Sequence, residues 1–401
     1  MINPLPVIAA ELRRSRLGAA AAIALIAVAV ALGIAIAAQE RAVRRGSARA
    51  ADAFDLLIGR PASPTQLVLA TVYLQPDAID LVSGQTLTRL QAEPGAARVA
   101  PLVFGDSYRG HPVVGTSAEF VTDDGRRPLA EGRVFTAMRE VVVGSAVPLR
   151  LGESFASTHG HDRNEEAVHG GFTYVIVGRM PPLGSPWDRA ILAPVEALWR
   201  VHARPTGHAP GVERIGPPWD AAGDTGASVI VVKPRSVGDA YRLRSKYREG
   251  ETMAIFPAEV LVELYGLLGD ARSLLSAFAL LTQGLVIAAV LLAVFAVEAQ
   301  RRRQLGILRA LGASRAYVFS VVWLHVTVLV AAGALLGLLL GWLGAWGLSR
   351  ALATRTGLAL PVAIERPELL LTASSIVVGA LFAALPAWRC YRRPASVLLR
   401  S

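Results

Sequence analysis

Four long apolar segments constrain the fold of this chain more than any other feature. They cover residues 17–38, 274–297, 317–348 and 369–389, and the only Asp, Glu, Lys or Arg in them is the arginine that ends the last one. A helix needs about 20 apolar residues to cross a bilayer, because each residue adds about 1.5 Å along the axis. The sequence therefore predicts a membrane protein with four transmembrane helices.

Residues 39–273, between the first two spans, have the composition of a water-exposed domain. They contain 26 basic and 27 acidic residues. Runs of β-branched and aromatic residues predict strands at Phe54–Ile58, Gln66–Leu74 and Pro112–Phe120, and Ser83 is placed to begin a helix. The predicted fold class is membrane α-helical, with a large external α+β domain inserted between helices 1 and 2.

The distribution of positive charge predicts the orientation of the helices. Residues 1–16, residues 298–316 and the tail from Arg389 carry net charges of +2, +4 and +4. Short basic segments beside membrane helices stay in the cytoplasm. The predicted order is a cytoplasmic N-terminus 1–16, helix 17–38, external domain 39–273, helix 274–297, cytoplasmic coupling segment 298–316, helix 317–348, external loop 349–368, helix 369–389 and cytoplasmic tail 390–401.

The first span has two features that complicate this topology. Four arginines follow it on the predicted external side: Arg41, Arg44, Arg45 and Arg49. Long domains are translocated largely regardless of charge, so these arginines do not reverse the prediction. Ala35–Ala37 resembles a signal-peptidase site, so a cleaved signal peptide is the alternative. The 22-residue apolar run and the need for an even number of helices favour an uncleaved anchor.

The coupling segment 298–316 has a basic amphipathic pattern. Leucines and an isoleucine recur at roughly helical spacing, with arginines around them: Arg302, Arg303, Leu305, Ile307, Leu308, Arg309 and Leu311. Such a segment can dock a soluble partner at the membrane surface. The alternative from physics alone is simple anchoring by arginines that extend to the lipid headgroups.

No Walker-type nucleotide site exists in these 401 residues. A P-loop needs Gly-Lys-Ser/Thr, so that the lysine reaches the phosphates. The chain has only Lys233 and Lys246, which follow Val232 and Ser245. The charge excess also lies beside the membrane spans, which argues against a nucleic-acid partner.

Two stretches resemble a known family. Residues 301–315, Arg-Arg-Arg-Gln-Leu-Gly-Ile-Leu-Arg-Ala-Leu-Gly-Ala-Ser-Arg, resemble the hallmark of FtsX-like permeases, in the MacB-type branch of ABC transporters. Residues 384–400, with Pro386, Pro394 and a terminal Leu-Arg, resemble the ending of the same family. The resemblance is strong over about 270–401; before that it rests on topology alone.

The resemblance implies partners and a division of labour. Such permeases pair in the membrane, which favours a homodimer here, and bind two ATPase subunits at the segment between the second and third helices. ATP and magnesium then belong to the ATPase, and this chain is neither an enzyme nor a cofactor carrier. A periplasmic adaptor or substrate-binding protein is a further expected partner.

Three glycines at four-residue spacing mark the third span: Gly333, Gly337 and Gly341. Small residues at this spacing let helix backbones approach closely, within one chain or between two copies. The alternative is that membrane helices simply tolerate glycine. The same span carries His325, an ionisable group at membrane depth.

A cluster of histidines and carboxylates lies in the external domain. His159, His161, Asp162 and His169 fall within 11 residues, which is a donor set that suits zinc. A solvated polar hairpin loop is the alternative, because the spacing fits no fixed helical motif.

The sequence thus predicts the permease subunit of an ABC transporter in the bacterial inner membrane. ATP hydrolysis on a separate subunit would move the external domain, for export or release of a substrate. One alternative is an FtsX-like regulator that controls an extracytoplasmic partner. A second is a component of divalent-metal export that uses the histidine cluster.

Overall fold

The computed structural model divides the chain into two compact units. The helical unit comprises Met1–Val43, Leu268–Ala351 and Leu360–Ser401, and the sheet unit comprises Arg44–Leu267 and Leu352–Ala359. The structure describes residues 3–75, 79–159, 168–209, 211–220, 225–266, 277, 281, 284 and 312–392.

The described residues form ten α-helices and ten strands. The helices are α1 Leu5–Arg14, α2 Arg16–Ala51, α3 Pro64–Val72, α4 Gly84–Gln91, α5 Ala118–Thr122, α6 Val195–Val201, α7 Val237–Tyr247, α8 257–266, α9 Arg315–Thr356 and α10 Arg366–Arg392. The strands are β1 Leu56–Gly59, β2 Ala96–Tyr108, β3 His111–Thr116, β4 Glu131–Gly132, β5 Glu140–Val143, β6 Ser154–His159, β7 Val168–Arg179, β8 Ile191–Pro194, β9 Val229–Pro234 and β10 Met253–Ile255.

Three helices of the described chain are long and apolar enough to cross a membrane: Arg16–Ala51, Arg315–Thr356 and Arg366–Leu385. They include most of the predicted spans 17–38, 317–348 and 369–389. A helix suits an apolar segment because it satisfies every backbone hydrogen bond within itself. The predicted second span, 274–297, lies outside the described residues except for 277, 281 and 284.

The core of the helical unit joins α2, α9 and α10. Its buried members are Ile26, Val30, Ile34, Val326, Val330, Ala334 and Ala383. On α2 these residues recur every four positions, which places them on one stripe of the helix. One face of α2 is therefore committed to packing within the chain.

A sheet of ten strands forms the centre of the sheet unit. Its main path runs β10-β1-β9-β2-β3-β8-β5-β7-β4, and β6 pairs with β2 and β7. Most pairs are antiparallel; β3 with β8 and β5 with β7 are parallel. The mixture of parallel and antiparallel pairs with separate helices agrees with the predicted α+β class.

Both faces of this sheet are covered. Along β1, Leu56 and Ile58 belong to one buried cluster and Leu57 to the other, because successive side chains of a strand point to opposite faces. The first cluster takes in residues of α4, α6 and α7, and the second takes in residues of α3, α5 and α8. Two hydrophobic layers thus fix the sheet.

The prediction of a strand at Gln66–Leu74 is wrong. Residues 64–72 form α3, in which Ser63 caps the N-terminus through its hydroxyl and Pro64 occupies the first turn. Proline is well suited there, because its missing N–H has no partner in a first turn. The predicted strand Pro112–Phe120 is also too long, since β3 ends at Thr116 and α5 follows.

Candidate functional site

The glycine stripe of α9 lies directly against α2. A Cβ atom added to each glycine would fall within 3.0 Å of an α2 atom. The added Cβ would lie 2.7 Å from Ile26 Cβ at Gly333, 2.7 Å from Val30 Cβ at Gly337 and 2.7 Å from the carbonyl oxygen of Ala31 at Gly341. Real Cβ atoms essentially never approach so closely. The two backbones therefore meet where only glycine fits.

The next two glycines of α9 have open surroundings. A Cβ atom added at Gly344 or Gly347 would meet no other atom within 4 Å. The close approach of α2 is thus restricted to the glycines at the predicted four-residue spacing. The structure places this approach within one chain.

α9 also packs closely against α10. A Cβ atom added at Gly379 would lie 2.5 Å from Val330 Cγ1. Nearby, the indole Nε1–H of Trp323 donates to the carbonyl oxygen of Ala380 at 2.8 Å. Sequence reasoning missed Gly379, although small residues recur around it at four-residue spacing, at Ser375, Ala383 and Ala387, and this pattern could have found it.

A cluster of charged side chains joins α2 to the beginning of α10. The guanidinium of Arg41 donates from Nη2 to Glu368 Oε1, and its Nε lies 3.9 Å from Glu365 Oε2. The side chain of Glu368 is only 1% exposed and that of Arg41 13%. Glu368 Oε2 also accepts the backbone N–H of Glu365 at 3.0 Å.

A neutral contact beside this cluster joins α2 to α9. The hydroxyl of Ser349 donates to Gln39 Oε1 at 3.0 Å. Gln39 lies two residues before Arg41, so the polar contacts follow directly on the apolar packing of α2. Sequence reasoning missed the whole cluster. Its one signal was Arg41 itself, which stood out as a positive charge on the predicted external side.

At the other end of α9, the predicted intramembrane histidine approaches the N-terminal helix. His325 Nδ1 lies 3.7 Å from Glu11 Oε2 on α1. α1 is amphipathic and ends in Arg13 and Arg14. The ionisable group of α9 therefore faces a carboxylate of the same chain rather than standing alone in an apolar environment.

The predicted coupling and metal sites fall largely outside the described chain. All the predicted coupling residues from Arg302 to Leu311 lie there, as do His161 and Asp162. His159 and His169 belong to β6 and β7, of which only the backbone is described at those positions. Among the described residues, no group of three or more His, Cys, Asp or Glu forms a metal site.

The sheet unit contains a buried carboxylate that sequence reasoning did not single out. Glu196 is 1% exposed, and its Oε1 accepts from the backbone N–H of Gly216 at 2.7 Å and from Trp219 Nε1–H at 2.5 Å. His208 Nε2 lies 3.6 Å from the same oxygen. Burial raises the pKa of Glu196, and these hydrogen bonds oppose the rise. The carboxylate fixes the loop that follows α6.

A second charged cluster holds the turn after α5. Arg98 is buried and its Nη1 lies 2.7 Å from Asp123 Oδ1 and 3.1 Å from Asp124 Oδ2. Lys233 Nζ lies 3.0 Å from Asp123 Oδ1. Burial alone would raise the pKa of Asp123, but the hydrogen bonds and charges of Arg98 and Lys233 lower it to about 2.

Comparisons with known proteins bear on the helical part of the chain. Residues 275–395 match the family described as FtsX-like permease C-terminal. A search of curated proteins gives no match to this sequence. The matched range contains the basic motif at 301–315 and most of the final motif that begins at residue 384.

Two solved structures are similar to part of the chain. The periplasmic region of MacB from Actinobacillus actinomycetemcomitans is 13% identical in sequence, with a TM-score of 0.32. The match covers 54% of this chain and 95% of the MacB chain. The extracellular domain of the noncanonic ABC-type transporter YknZ from Gram-positive bacteria is 13% identical in sequence, with a TM-score of 0.29. The match covers 50% of this chain and 98% of the YknZ chain. Both TM-scores are too low to assign the fold of this chain. Residues 275–395 of this chain therefore correspond to the C-terminal domain of FtsX-like permeases.

Proposed function

We propose that this protein is the membrane permease of an ABC transporter that converts ATP hydrolysis on a separate subunit into motion of the sheet unit. The observation that carries the proposal is the family match at 275–395. It spans the predicted coupling segment 298–316 together with the apolar segments on both sides. ATP and magnesium are held by the partner, since no Walker lysine exists in these 401 residues.

The proposed topology follows from charge and helix length. Four helices cross the bacterial inner membrane, both termini are cytoplasmic, and residues 39–273 lie outside. Three described helices meet the length and hydropathy that a span requires. The basic segments 1–16, 298–316 and 390–401 lie on the ATPase side. A pair of identical permease chains with two ATPase subunits is the proposed assembly.

The proposed work is mechanical. The ATPase presses on the apolar side chains of 298–316 when it closes around ATP. The displaced helices move α2, which runs unbroken from Arg16 to Ala51 and contributes residues to both units. An α-helix transmits such a displacement because its backbone hydrogen bonds resist bending. The outcome is the export or release of a substrate outside the membrane.

Replacing Leu305 and Leu308 together by glutamate tests the docking. Burying an unpaired carboxylate in an interface costs several kcal/mol, so we expect the ATPase to stop co-purifying with this chain. The measurement is the amount of ATPase recovered with the tagged permease, and the ATP turnover of the recovered complex.

Gln304→Glu is the matched control, because it adds charge to the same segment without removing an apolar side chain. It should leave recovery near the wild-type level. Undiminished recovery and turnover with the double leucine variant would exclude a docking role for this segment.

A further inference from the structure

We propose that Arg41 and Glu368, with Glu365, form a charged latch that holds α2 against the beginning of α10 and opens when α2 moves. The latch is defined as these three side chains. The inference rests on the proposed function for the meaning of that movement. The contact itself is a property of this chain alone and can be tested without the ATPase.

The geometry of the latch engages both carboxylate oxygens of Glu368. One oxygen accepts from Arg41 and the other accepts the backbone N–H of Glu365 at the start of α10. An acidic side chain near a helix N-terminus that accepts such an N–H helps to begin the helix. Arg41 therefore neutralises a carboxylate that already has a structural place, which makes the contact specific in position.

Burial makes the latch a two-state contact. Only 1% of the Glu368 side chain is exposed. Separation from Arg41 would therefore leave its negative charge with neither an opposite charge nor water beside it. Removing one member of a buried pair is strongly destabilising, whereas an apolar pair of similar size would stabilise as well or better. The ion pair is thus poorly explained by stability alone. The two charges are favourable when they are paired, and again only when both are hydrated; a partly separated state is unfavourable.

The packing of α2 differs between its two neighbours. Against α9 it meets three glycines at distances where a Cβ atom could not fit. Against α10 the contact at the same level is ordinary: a Cβ atom added at Gly33 would lie 3.7 Å from Leu371 Cδ1. α2 and α9 therefore fit as one closely packed pair, and the boundary that can open is the one between α2 and the first turns of α10.

The latch also accounts for an exception in the charge pattern. Arg41 follows the first span on the side where the positive-inside rule disfavours arginine. Its charge is balanced by the carboxylate of Glu368, 327 positions away in the sequence. A compensated charge carries little penalty at this position, so the arginine is consistent with the proposed topology.

Cysteine cross-linking in the full-length protein tests the latch. Gly33→Cys and Leu371→Cys, in a Cys390→Ser background, report whether α2 and α10 stay adjacent in native membranes. We expect Arg41→Gln and Glu368→Gln each to lower the cross-linked fraction by about tenfold, because an unpaired buried charge favours the open state. The charge exchange Arg41→Glu with Glu368→Arg should restore most of the cross-linking.

Arg44→Gln is the matched control, because Arg44 is an exposed arginine on the same helix. It should cross-link like the parent. If Arg41→Gln and Glu368→Gln both cross-link like the parent, the latch does not exist; if the charge exchange fails to restore what they lose, the pairing is wrong.

A second measurement separates the latch from the proposed function. In the complex with its ATPase, both single variants should hydrolyse ATP faster at rest, because α2 no longer has a contact to break. Loss of cross-linking without any change in ATP hydrolysis would leave a structural ion pair and overturn the latch as a gate. A chain that binds no ATPase at all, yet loses cross-linking in both variants, would instead contradict the proposed function.

Discussion

At the scale of single residues, the ion-pair partners of a charged side chain determine its pKa and its contribution to stability. Asp123 shows how the partners of a residue set its behaviour. Its ordinary pKa near 3.8 falls to about 2 because Arg98 and Lys233 donate hydrogen bonds to it. A carboxyl group whose pKa is lower in the folded state stabilises the fold above its unfolded pKa and loses that contribution as the pH falls.

Asp123→Asn should therefore lower the free energy of unfolding of the sheet unit at pH 7. The side chain is a quarter exposed, so solvent screening reduces the effect to about 1–2 kcal/mol. The difference from wild type should shrink as the pH falls from 3.8 towards 2. Hydrogen exchange of the peptides around β2 and β9, read by mass spectrometry in the full-length protein, is the measurement. A difference that persists unchanged at pH 2 would show that packing, not charge, is responsible.

The metal hypothesis stays a prediction at the residue scale. His159, His161, Asp162 and His169 fall at or beyond the end of β6 and before the middle of β7. Asp106 on β2 is the strand neighbour of His159 on β6. Its Oδ1 lies 3.2 Å from Nε2 of a different histidine, His202. The hydroxyl of Ser157 donates to the other oxygen of this carboxylate at 2.9 Å.

At the scale of elements, the close pairing of α2 and α9 depends on glycine. Gly337→Leu should separate the two helices, because a side chain there would collide with Val30 and with the carbonyl oxygen of Ala27. Overpacking of this kind costs about 1–3 kcal/mol. We expect a lower melting temperature of the helical unit in mild detergent, measured by the exposure of a reactive cysteine on heating.

Gly344→Leu is the matched control for this prediction. It places the same side chain on the same helix two turns away, where no atom lies within 4 Å. Its melting temperature should stay at that of wild type. Equal effects of the two substitutions would mean that leucine perturbs α9 itself, and that contact with α2 is not the cause.

The elements also show what sequence can and cannot predict. Three of the four long uncharged segments form apolar helices in the described chain, since a helix satisfies its own backbone hydrogen bonds in lipid. Short apolar runs are ambiguous, and Gln66–Leu74 became α3 because Ser63 and Pro64 begin a helix there. Apart from the exceptional position of Arg41, nothing in the sequence indicated its pairing with Glu368, because a contact across 327 positions depends on how the helices pack.

At the scale of the whole molecule, the proposed topology can be tested with its single cysteine. Cys390 should be protected from a membrane-impermeant thiol reagent in intact spheroplasts, because the tail from Arg389 is basic. Ala62→Cys, in a Cys390→Ser background, should be labelled. Ala62 is exposed, whereas Ser157 in the same unit is fully buried and would not report accessibility.

Permeabilised cells supply the control for this experiment. Cys390 should become reactive once the reagent can cross the membrane, which shows that its protection came from location. Labelling of Cys390 but not of Ala62→Cys in intact spheroplasts would reverse the orientation of the entire chain. It would also place segment 298–316 on the side without an ATPase.

The unbroken length of α2 makes this protein sensitive to insertions as well as to substitutions. Its 36 residues extend roughly 54 Å, against a hydrocarbon layer of about 30 Å. A helix behaves as a screw, so one inserted residue advances everything after it by about 1.5 Å and turns it by about 100°. An insertion between Ile34 and Arg41 would turn Arg41 away from Glu368 while Ile34 stayed in its core. An insertion of about seven residues, close to two full turns, would restore the direction of the Arg41 side chain but move it about 10.5 Å along the axis. The distance between the apolar core of α2 and the ion pair is therefore fixed by both the pitch and the rise of the helix, and insertions between them should break the pair.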